Sequence, residues 1–318
     1  MEVQFLGTSS GVPTKKRNVT GIAVKESKGN RWYLVDCGEA TQHQLLHTNL
    51  SLNSLSGIFI THIHGDHCYG LPGLLASAGM SGRKEPLTII APEGVKKWFL
   101  STQEFTELFL PYEVNFISVE NNLEQKFGQF SIRLRELSHR VPSFAYIFTE
   151  TQTDANLSVE KLESLGVPRG PLWGKIKSEG QIEFQGEILK IEDFLEQSVT
   201  PRKIIVCGDN DNPQLLAEDS QGCDLLIHES TYTKDMAEKA ANVGHSYAAQ
   251  VAAFASENKI PNLLLTHFSP RYQSDAKNAQ SIEDIREEAA GEYTGRLFLA
   301  QDFDQYNLDK SGCVSLKL

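Results

Sequence analysis

Short runs of apolar, β-branched and aromatic residues recur along the whole chain and read as strands. They comprise Val3 to Thr8, Gly21 to Lys25, Trp32 to Asp36, Ile58 to Thr61, Leu87 to Ala91, Val114 to Val119, Phe130 to Leu137 and Ala145 to Thr149. A second series follows at Lys203 to Cys207, Asp224 to Ile227, Asn262 to Thr266 and Arg296 to Ala300. Between the runs, apolar positions take helical spacing over Thr41 to Leu46, Leu71 to Ala78, Val95 to Phe109, Ser246 to Glu257 and Ile282 to Ala290. Two batches of strands, each flanked by helices, predict an α/β fold in which two sheets pack together and are covered on the outside. Thr151 to Thr200 breaks the pattern, because the prolines and glycines of Leu165-Gly166-Val167-Pro168-Arg169-Gly170-Pro171-Leu172 stop regular structure from continuing through it. So long an interruption inside a compact domain is usually functional or disordered, and we read it as a projecting arm with its own short helices.

The length of 318 residues and the 40% hydrophobic content suit one large catalytic domain, residues 1–318, with that arm inserted at about 151–200. Met1 to Leu6 leads straight into a strand-like run without a basic or long apolar leader. No apolar stretch approaches the roughly 20 residues a membrane span requires, so a soluble intracellular protein with no membrane partner is expected. The cysteines Cys37, Cys68, Cys207, Cys223 and Cys313 are scattered and form no C-x-x-C pair, which argues against a disulfide framework and a cysteine zinc site. Cys68 follows a histidine but is read as a packing residue. A formal net charge of −11 argues against a generalised electrostatic nucleic-acid binder. Any nucleic acid must be held locally, with Lys15-Lys16-Arg17 and the acid-free segment carrying Arg169, Lys175 and Lys177 as the candidates.

The densest chemistry is His62-Ile63-His64-Gly65-Asp66-His67, directly after the apolar run Gly57 to Thr61. In an extended segment residues two apart face the same way, so His62 and His64 reach one ion while Asp66 and His67 fall on the following turn. Two ions roughly 3.5–4 Å apart share such a set with less strain than one. Further ligands stand where later strands end: Ser138-His139, Gly208-Asp209 and Thr266-His267. Strand ends on one sheet edge are where sites are built. The expected assignment gives one ion His62, His64 and His139, the other Asp66, His67 and His267, and makes Asp209 the bridge. Nitrogen and oxygen donors suit two Zn2+ ions, and Mn2+ or Fe2+ also fit. His43 and His47 lie four apart as in a zincin helix, but no glutamate follows the first, so they are read as structural. Asp209 is preferred to Asp211 because it terminates its strand.

With His62 to His67, Asp209 and His267 together, the chain resembles the metallo-β-lactamase superfamily. Phe5-Leu6-Gly7-Thr8, Arg17-Asn18-Val19-Thr20, Asp36-Cys37-Gly38-Glu39-Ala40-Thr41-Gln42-His43-Gln44 and Gly70-Leu71-Pro72-Gly73-Leu74-Leu75 narrow the match. Gly166 to Leu172, His228-Glu229-Ser230-Thr231, Gly244-His245-Ser246, Ser269-Pro270-Arg271-Tyr272 and Ala300-Gln301-Asp302-Phe303 extend it over nearly the whole chain. It is similar to the short form of the ribonuclease Z family, tRNA 3′-end processing endonucleases. The resemblance implies a four-layered αβ/βα metallo-β-lactamase sandwich, a dinuclear centre, a cytoplasmic homodimer, and an arm that grips the elbow of precursor tRNA. It further implies Asp66 aiming the attacking water, His245 as the acid for the leaving 3′ oxygen, Glu229 orienting His245, and Arg271 on the scissile phosphate. Gly208-Asp209-Asn210 departs from the family's Gly-Asp-Thr, and Arg140-Val141-Pro142 follows His139 where small residues are common. The competing expectation is a superfamily hydrolase of a small phosphodiester or thioester, which has little use for the arm.

Overall fold

Strands whose residues are buried on both faces need cover on both sides, and most strands here are of that kind, as in Leu225–Glu229 and Asn262–Thr266. In the computed structural model, which describes residues 1–119, 124–151, 157–194, 201–273 and 280–317, this cover is supplied by pairing two sheets and laying helices outside them. The first sheet contains β1 (Glu2–Gly7), β2 (Gly21–Lys25), β3 (Trp32–Val35), β4 (Leu55–Phe59), β5 (Leu87–Ala91) and β6 (Val114–Ser118). The other contains β7 (Glu124–Phe127), β8 (Phe130–Leu137) and β9 (Ser143–Glu150). After the hairpin β10 (Gln181–Phe184) and β11 (Glu187–Lys190), β12 (Lys203–Cys207), β13 (Leu225–Glu229), β14 (Asn262–Thr266) and β15 (Arg296–Leu299) complete the second sheet. The last strands, β16 (Gln305–Leu308) and β17 (Val314–Lys317), return to the first. The resulting orders are β17-β16-β1-β2-β3-β4-β5-β6 and β15-β14-β13-β12-β9-β8-β7.

The two batches of strands along the chain are therefore not the two sheets. β8 and β9 belong with the second-half strands, because β9 pairs antiparallel with β12, and β16 crosses back to pair with β1. β7 is too polar, and β16 and β17, though alternating, are too short at four residues each, to be picked out from the sequence.

Three apolar clusters make the layers. Val3, Phe5, Val24, Tyr33 and Phe59 of the first sheet meet Phe130, Tyr146, Phe148, Val206 and Ile227 of the second, with Phe59 and Tyr146 ring centroids 5.1 Å apart. The outer face of the first sheet packs under the helices Leu71–Met80 and Glu93–Phe105 through Leu34, Ile58, Leu74, Leu75 and Phe99. The outer face of the second packs under Ala248–Glu257 and Ile282–Glu292 through Leu226, Leu265, Val251, Phe254 and Ile285. This is the four-layered αβ/βα sandwich that the sequence resemblance implied. The parallel run β12, β13, β14 brings Cys207, Glu229 and Thr266 to one edge, so the loops that follow them gather together.

The chain divides into two compact units, Met1–Thr149 with Arg202–Leu318, and Glu150–Pro201. In the first unit Thr149 pairs with Lys203, so the sheet continues from β9 to β12 across the inserted residues. The second has its own core of Leu157, Leu162, Val167, Ile176, Ile182, Leu189 and Phe194. Its glycines and prolines punctuate structure rather than prevent it. Pro171 starts the helix Pro171–Glu179, and Gly180, at φ 76°, ends it. Gln185 and Gly186, both at positive φ, turn the β10–β11 hairpin. Residues 152–156 and 195–200 of the expected arm, and the side chain of Lys177, lie outside the described residues. Among the described residues no helix is long and apolar enough to cross a membrane.

Candidate metal centre

Three groups of donor atoms converge at the gathered loops, the third, Asp209, His245 and His267, overlapping the other two. His62, His64, His139 and Asp209 form one, and Asp66, His67 and His267 a second. In the first, His64 Nδ1 lies 3.1 Å from His62 Nε2 and 3.1 Å from His139 Nε2, while Asp209 Oδ2 is 3.5 and 3.7 Å from those Nε2 atoms. In the second, His67 Nε2 is 3.2 Å from His267 Nε2, and Asp66 Oδ2 is 3.5 and 3.3 Å from the two. Asp209 Oδ1 completes this second group at 3.4 Å from each imidazole. Ligands 2.0–2.1 Å from a tetrahedral ion stand about 3.3 Å apart, so each of these first two groups has the edges of one coordination shell. The two oxygens of Asp209 face different groups, as a bridging carboxylate requires.

The tautomers agree with this reading. His67 Nδ1 donates to Asp36 Oδ2 at 2.7 Å, His139 Nδ1 to the Gly244 carbonyl at 2.6 Å, and His267 Nδ1 to Thr231 Oγ1 at 3.0 Å. His62 Nδ1 donates to Thr61 Oγ1 at 3.0 Å, which in turn donates to Asp36 Oδ2. Each bond leaves Nε2 bare and pointed at the centre. Burial, with His67 beside it, lowers the His62 pKa to about 4, so its lone pair is free at neutral pH. Burial also lowers His67, but Asp209, Asp66 and Asp36 outweigh it and hold that group well above its ordinary value. Among the described residues no Lys or Arg pairs with buried Asp36 and Asp209 or with half-buried Asp66, so the cluster itself calls for cationic charge. The donor set fits divalent metal.

Local backbone strain supports the arrangement. Asp36 and His267 sit at φ 60° and 58°, a region that non-glycine residues seldom occupy. The loop after β3 and the turn after His67 are pressed together: a Cβ on Gly38 would meet the Asp66 carbonyl at 2.4 Å, and one on Gly70 the Gly38 carbonyl at 2.0 Å. Asp302 ties the flanking motifs into one scaffold, accepting from Thr8 Oγ1 at 2.8 Å, Asn18 N at 2.6 Å and Gln44 Nε2 at 3.0 Å.

His245 stands at the rim. Its Nδ1 donates to Glu229 Oε1 at 2.9 Å, leaving Nε2 on the cleft side. Burial pulls His245 down, but Glu229 and then Asp209 raise its pKa to about 9. Glu229 is buried and saturated with donors: Asn210 N, Ser246 N, Thr231 N and Thr231 Oγ1 besides His245. Arg271 lies over Tyr232, with its guanidinium carbon 5.6 Å from the ring, and Tyr232 edges His245 at 6.3 Å. Its Nε donates to Ser269 Oγ at 3.3 Å.

Asp211 joins none of the donor groups, and its backbone N–H donates to the Ser138 carbonyl. His43 and His47 are exposed, edge to face at 5.2 Å, with Phe303 beyond His47 at 5.6 Å, and are in no donor group among the described residues. Cys68 is buried beneath the turn, its thiol pushed up to about 12 by burial. Arg17 is a correction. Lys15 and Lys16 are exposed, but Arg17 is buried over Phe268 and donates from Nη2 to the Tyr272 carbonyl, so it is unavailable to an incoming ligand. In the second unit Arg169 pairs with Glu163 at 2.6 Å and Lys175 with Glu179 at 3.8 Å, both exposed. Of the two departures from the family pattern, Asn210 is internal, donating to His228 Nε2 at 3.0 Å and accepting from Ser138 N. Arg140 lines the cleft and makes no ion pair among the described residues. Sequence reasoning missed Asp36 as the partner of His67, and Thr231 as the link between Glu229 and His267. Asp36 carries the same signal that found Asp209, an acid directly after a strand.

Comparison with known proteins agrees with the geometry. The chain is 49% identical over 315 residues to ribonuclease Z of Pseudomonas putida (strain GB-1), covering 99% of each chain. It is 49% identical over 316 residues to ribonuclease Z of Marinobacter nauticus, covering 98% of this chain and 97% of that one. Human tRNase Z, short form, superposes with a TM-score of 0.67 at 26% identity, over 97% of this chain and 100% of that chain. A family described as anti-Pycsar protein Apyc1 matches residues 1–163. That half holds His62 to His67 and His139 but stops short of Asp209, Glu229, His245 and His267, whereas the full-length relatives span them all.

Proposed function

The chain belongs to the ribonuclease Z family, metal-dependent endoribonucleases of tRNA 3′-end processing, and from that premise we propose how its residues divide the work. The cut falls on the 3′ side of the discriminator region of precursor tRNA, leaving a tRNA 3′-hydroxyl and a 5′-phosphorylated trailer. The single observation that carries this reading is the pair of donor groups sharing Asp209, with His245 on Glu229 beside them.

His62, His64 and His139 hold one divalent cation, Asp66, His67 and His267 the other, and Asp209 both; zinc suits the set best. Bound there, such cations acidify water and neutralise phosphate charge. Asp66 commits Oδ2 to the donor group and to the Gly11 N–H at 2.7 Å, so its other oxygen is left to orient the attacking water and accept its proton. His245, kept protonated by Glu229, gives the proton from Nε2 to the departing 3′ oxygen. Arg271, lacking a carboxylate partner among the described residues, meets the scissile phosphate. The unit Glu150–Pro201 is the part that grips precursor tRNA, in a cytoplasmic homodimer. A hydrolase of small phosphodiesters or thioesters shares the ligands but leaves a second unit with its own core unemployed.

The test is cleavage of a precursor tRNA by the purified protein. Cutting abolished by chelator and restored by zinc or manganese, with 3′-hydroxyl and 5′-phosphate ends, is expected. A cyclic 2′,3′-phosphate end, or no cutting by metal-loaded protein, refutes the reading.

A further inference from the structure

Tyr69 is 60% exposed, unusual for a large aromatic beside a buried catalytic cluster, and it lines the same cleft of about 330 Å³ as His64, Asp66, Asp209 and His245. Its position is built rather than incidental. The backbone N–H donates to the Gly65 carbonyl at 2.9 Å, and Gly65 leaves room for the ring, since a Cβ there would come within 2.2 Å of it. The half-buried Trp98 backs the ring at 5.9 Å between centroids and 33° between planes. Among the described residues the phenol has no hydrogen-bond partner, so no bond accounts for its location.

We propose that Tyr69 is a stacking platform for the base of the first trailer nucleotide, the one that bears the scissile phosphate; this rests on the ribonuclease reading above. A π face accepts any base, which suits a strand that is held next to the cut without being read. The polarity follows from chain origin. Tyr69 follows Asp66 on the first-sheet side, whereas His245 and Arg140 come from loops of the second-sheet half, with Gly244 packed on His139 and Arg140. His245 serves the oxygen that leaves with the tRNA, so the phosphate-bearing trailer lies toward Tyr69. Tyr69 is a substrate-positioning residue rather than a catalytic one.

The test is a two-by-two cycle. Wild type and Tyr69→Ala are assayed on a precursor tRNA with an intact or an abasic first trailer nucleotide. Tyr69→Ala is expected to raise KM roughly 5- to 150-fold with kcat little changed, the abasic substrate to raise wild-type KM similarly, and the two losses not to add. Tyr69→Phe restores the wild-type value. Fluorescence of 2-aminopurine at that nucleotide is quenched on binding wild type and not on binding Tyr69→Ala. Additive losses, an unchanged KM, a fall in kcat alone, failure of Tyr69→Phe to restore, or coupling to an abasic discriminator nucleotide instead would each overturn the proposal. Failure of wild type to cut the unmodified precursor refutes the ribonuclease reading itself, and the quenching then still reports whether Tyr69 stacks.

Discussion

Asp36→Asn isolates the support beneath the metal centre without disturbing the backbone, because asparagine tolerates the φ of 60° found there. The carboxylate accepts three hydrogen bonds: Thr61 N on Oδ1 at 2.8 Å, and Thr61 Oγ1 and His67 Nδ1 on Oδ2 at 2.9 and 2.7 Å. An amide has one acceptor oxygen. If that oxygen keeps His67, the new NH2 faces the Thr61 N–H, and a buried donor goes unpaired at a cost of about 1–3 kcal/mol. If it keeps Thr61 N, the NH2 faces His67 Nδ1, which must shed its proton to Nε2 and so present N–H where a lone pair was needed. Both orientations also remove the negative charge that makes His67 a better donor. Loss of such a partner weakens metal binding about 10- to 100-fold, equivalent to about 1.4–2.7 kcal/mol. Competition for zinc against a chromophoric chelator measures the affinity, and urea denaturation of the metal-free protein measures the folding cost. Affinity within twofold of wild type together with an unchanged denaturation midpoint would refute the claim that Asp36 sets the His67 tautomer.

Two further outcomes follow from the geometry. His245→Ala should keep its metal content but lose about 10²- to 10⁴-fold in turnover, since Nε2 is assigned a proton rather than a metal; metal loss in that variant would make His245 a ligand. Joining Thr149 to Arg202 through a short turn, in place of residues 150–201, should preserve the β9–β12 pairing and abolish efficient precursor tRNA cleavage. Undiminished cleavage by that protein would remove the second unit from substrate binding.

Much of the centre was legible because its ligands carry local signals. His62 to His67 are contiguous, so their convergence is a property of one strand end and one turn. Asp209 and His267 each follow an apolar run, and burial of those runs in the parallel set β12, β13, β14 forces their ends to one edge, while His139 follows β8 of the same sheet. Asp36 shares the strand-end signal of Asp209, but its role, like that of Thr231, is to hold another residue's hydrogen, which depends on distances across the fold. Arg17 misled for a similar reason: in a basic triplet it reads as surface, yet its side chain turns inward onto Phe268, 251 positions away in the chain.

Alternation and apolar runs determined by themselves that this chain makes strands covered by helices and where most of them fall, since side-chain burial in a strand or helix is periodic in the sequence. They did not determine which sheet each strand joins. β9 and β16 are assigned by pairing with partners far along the chain, and β8 follows β9 in the sheet order; backbone hydrogen bonding does not distinguish one apolar strand from another until the whole core closes. The same closure decided the chemistry. Metal ligands are specified by residue type, but the bare nitrogen each imidazole presents, the bridging of Asp209 and the exposure of Tyr69 are set by neighbours that only the folded chain brings together.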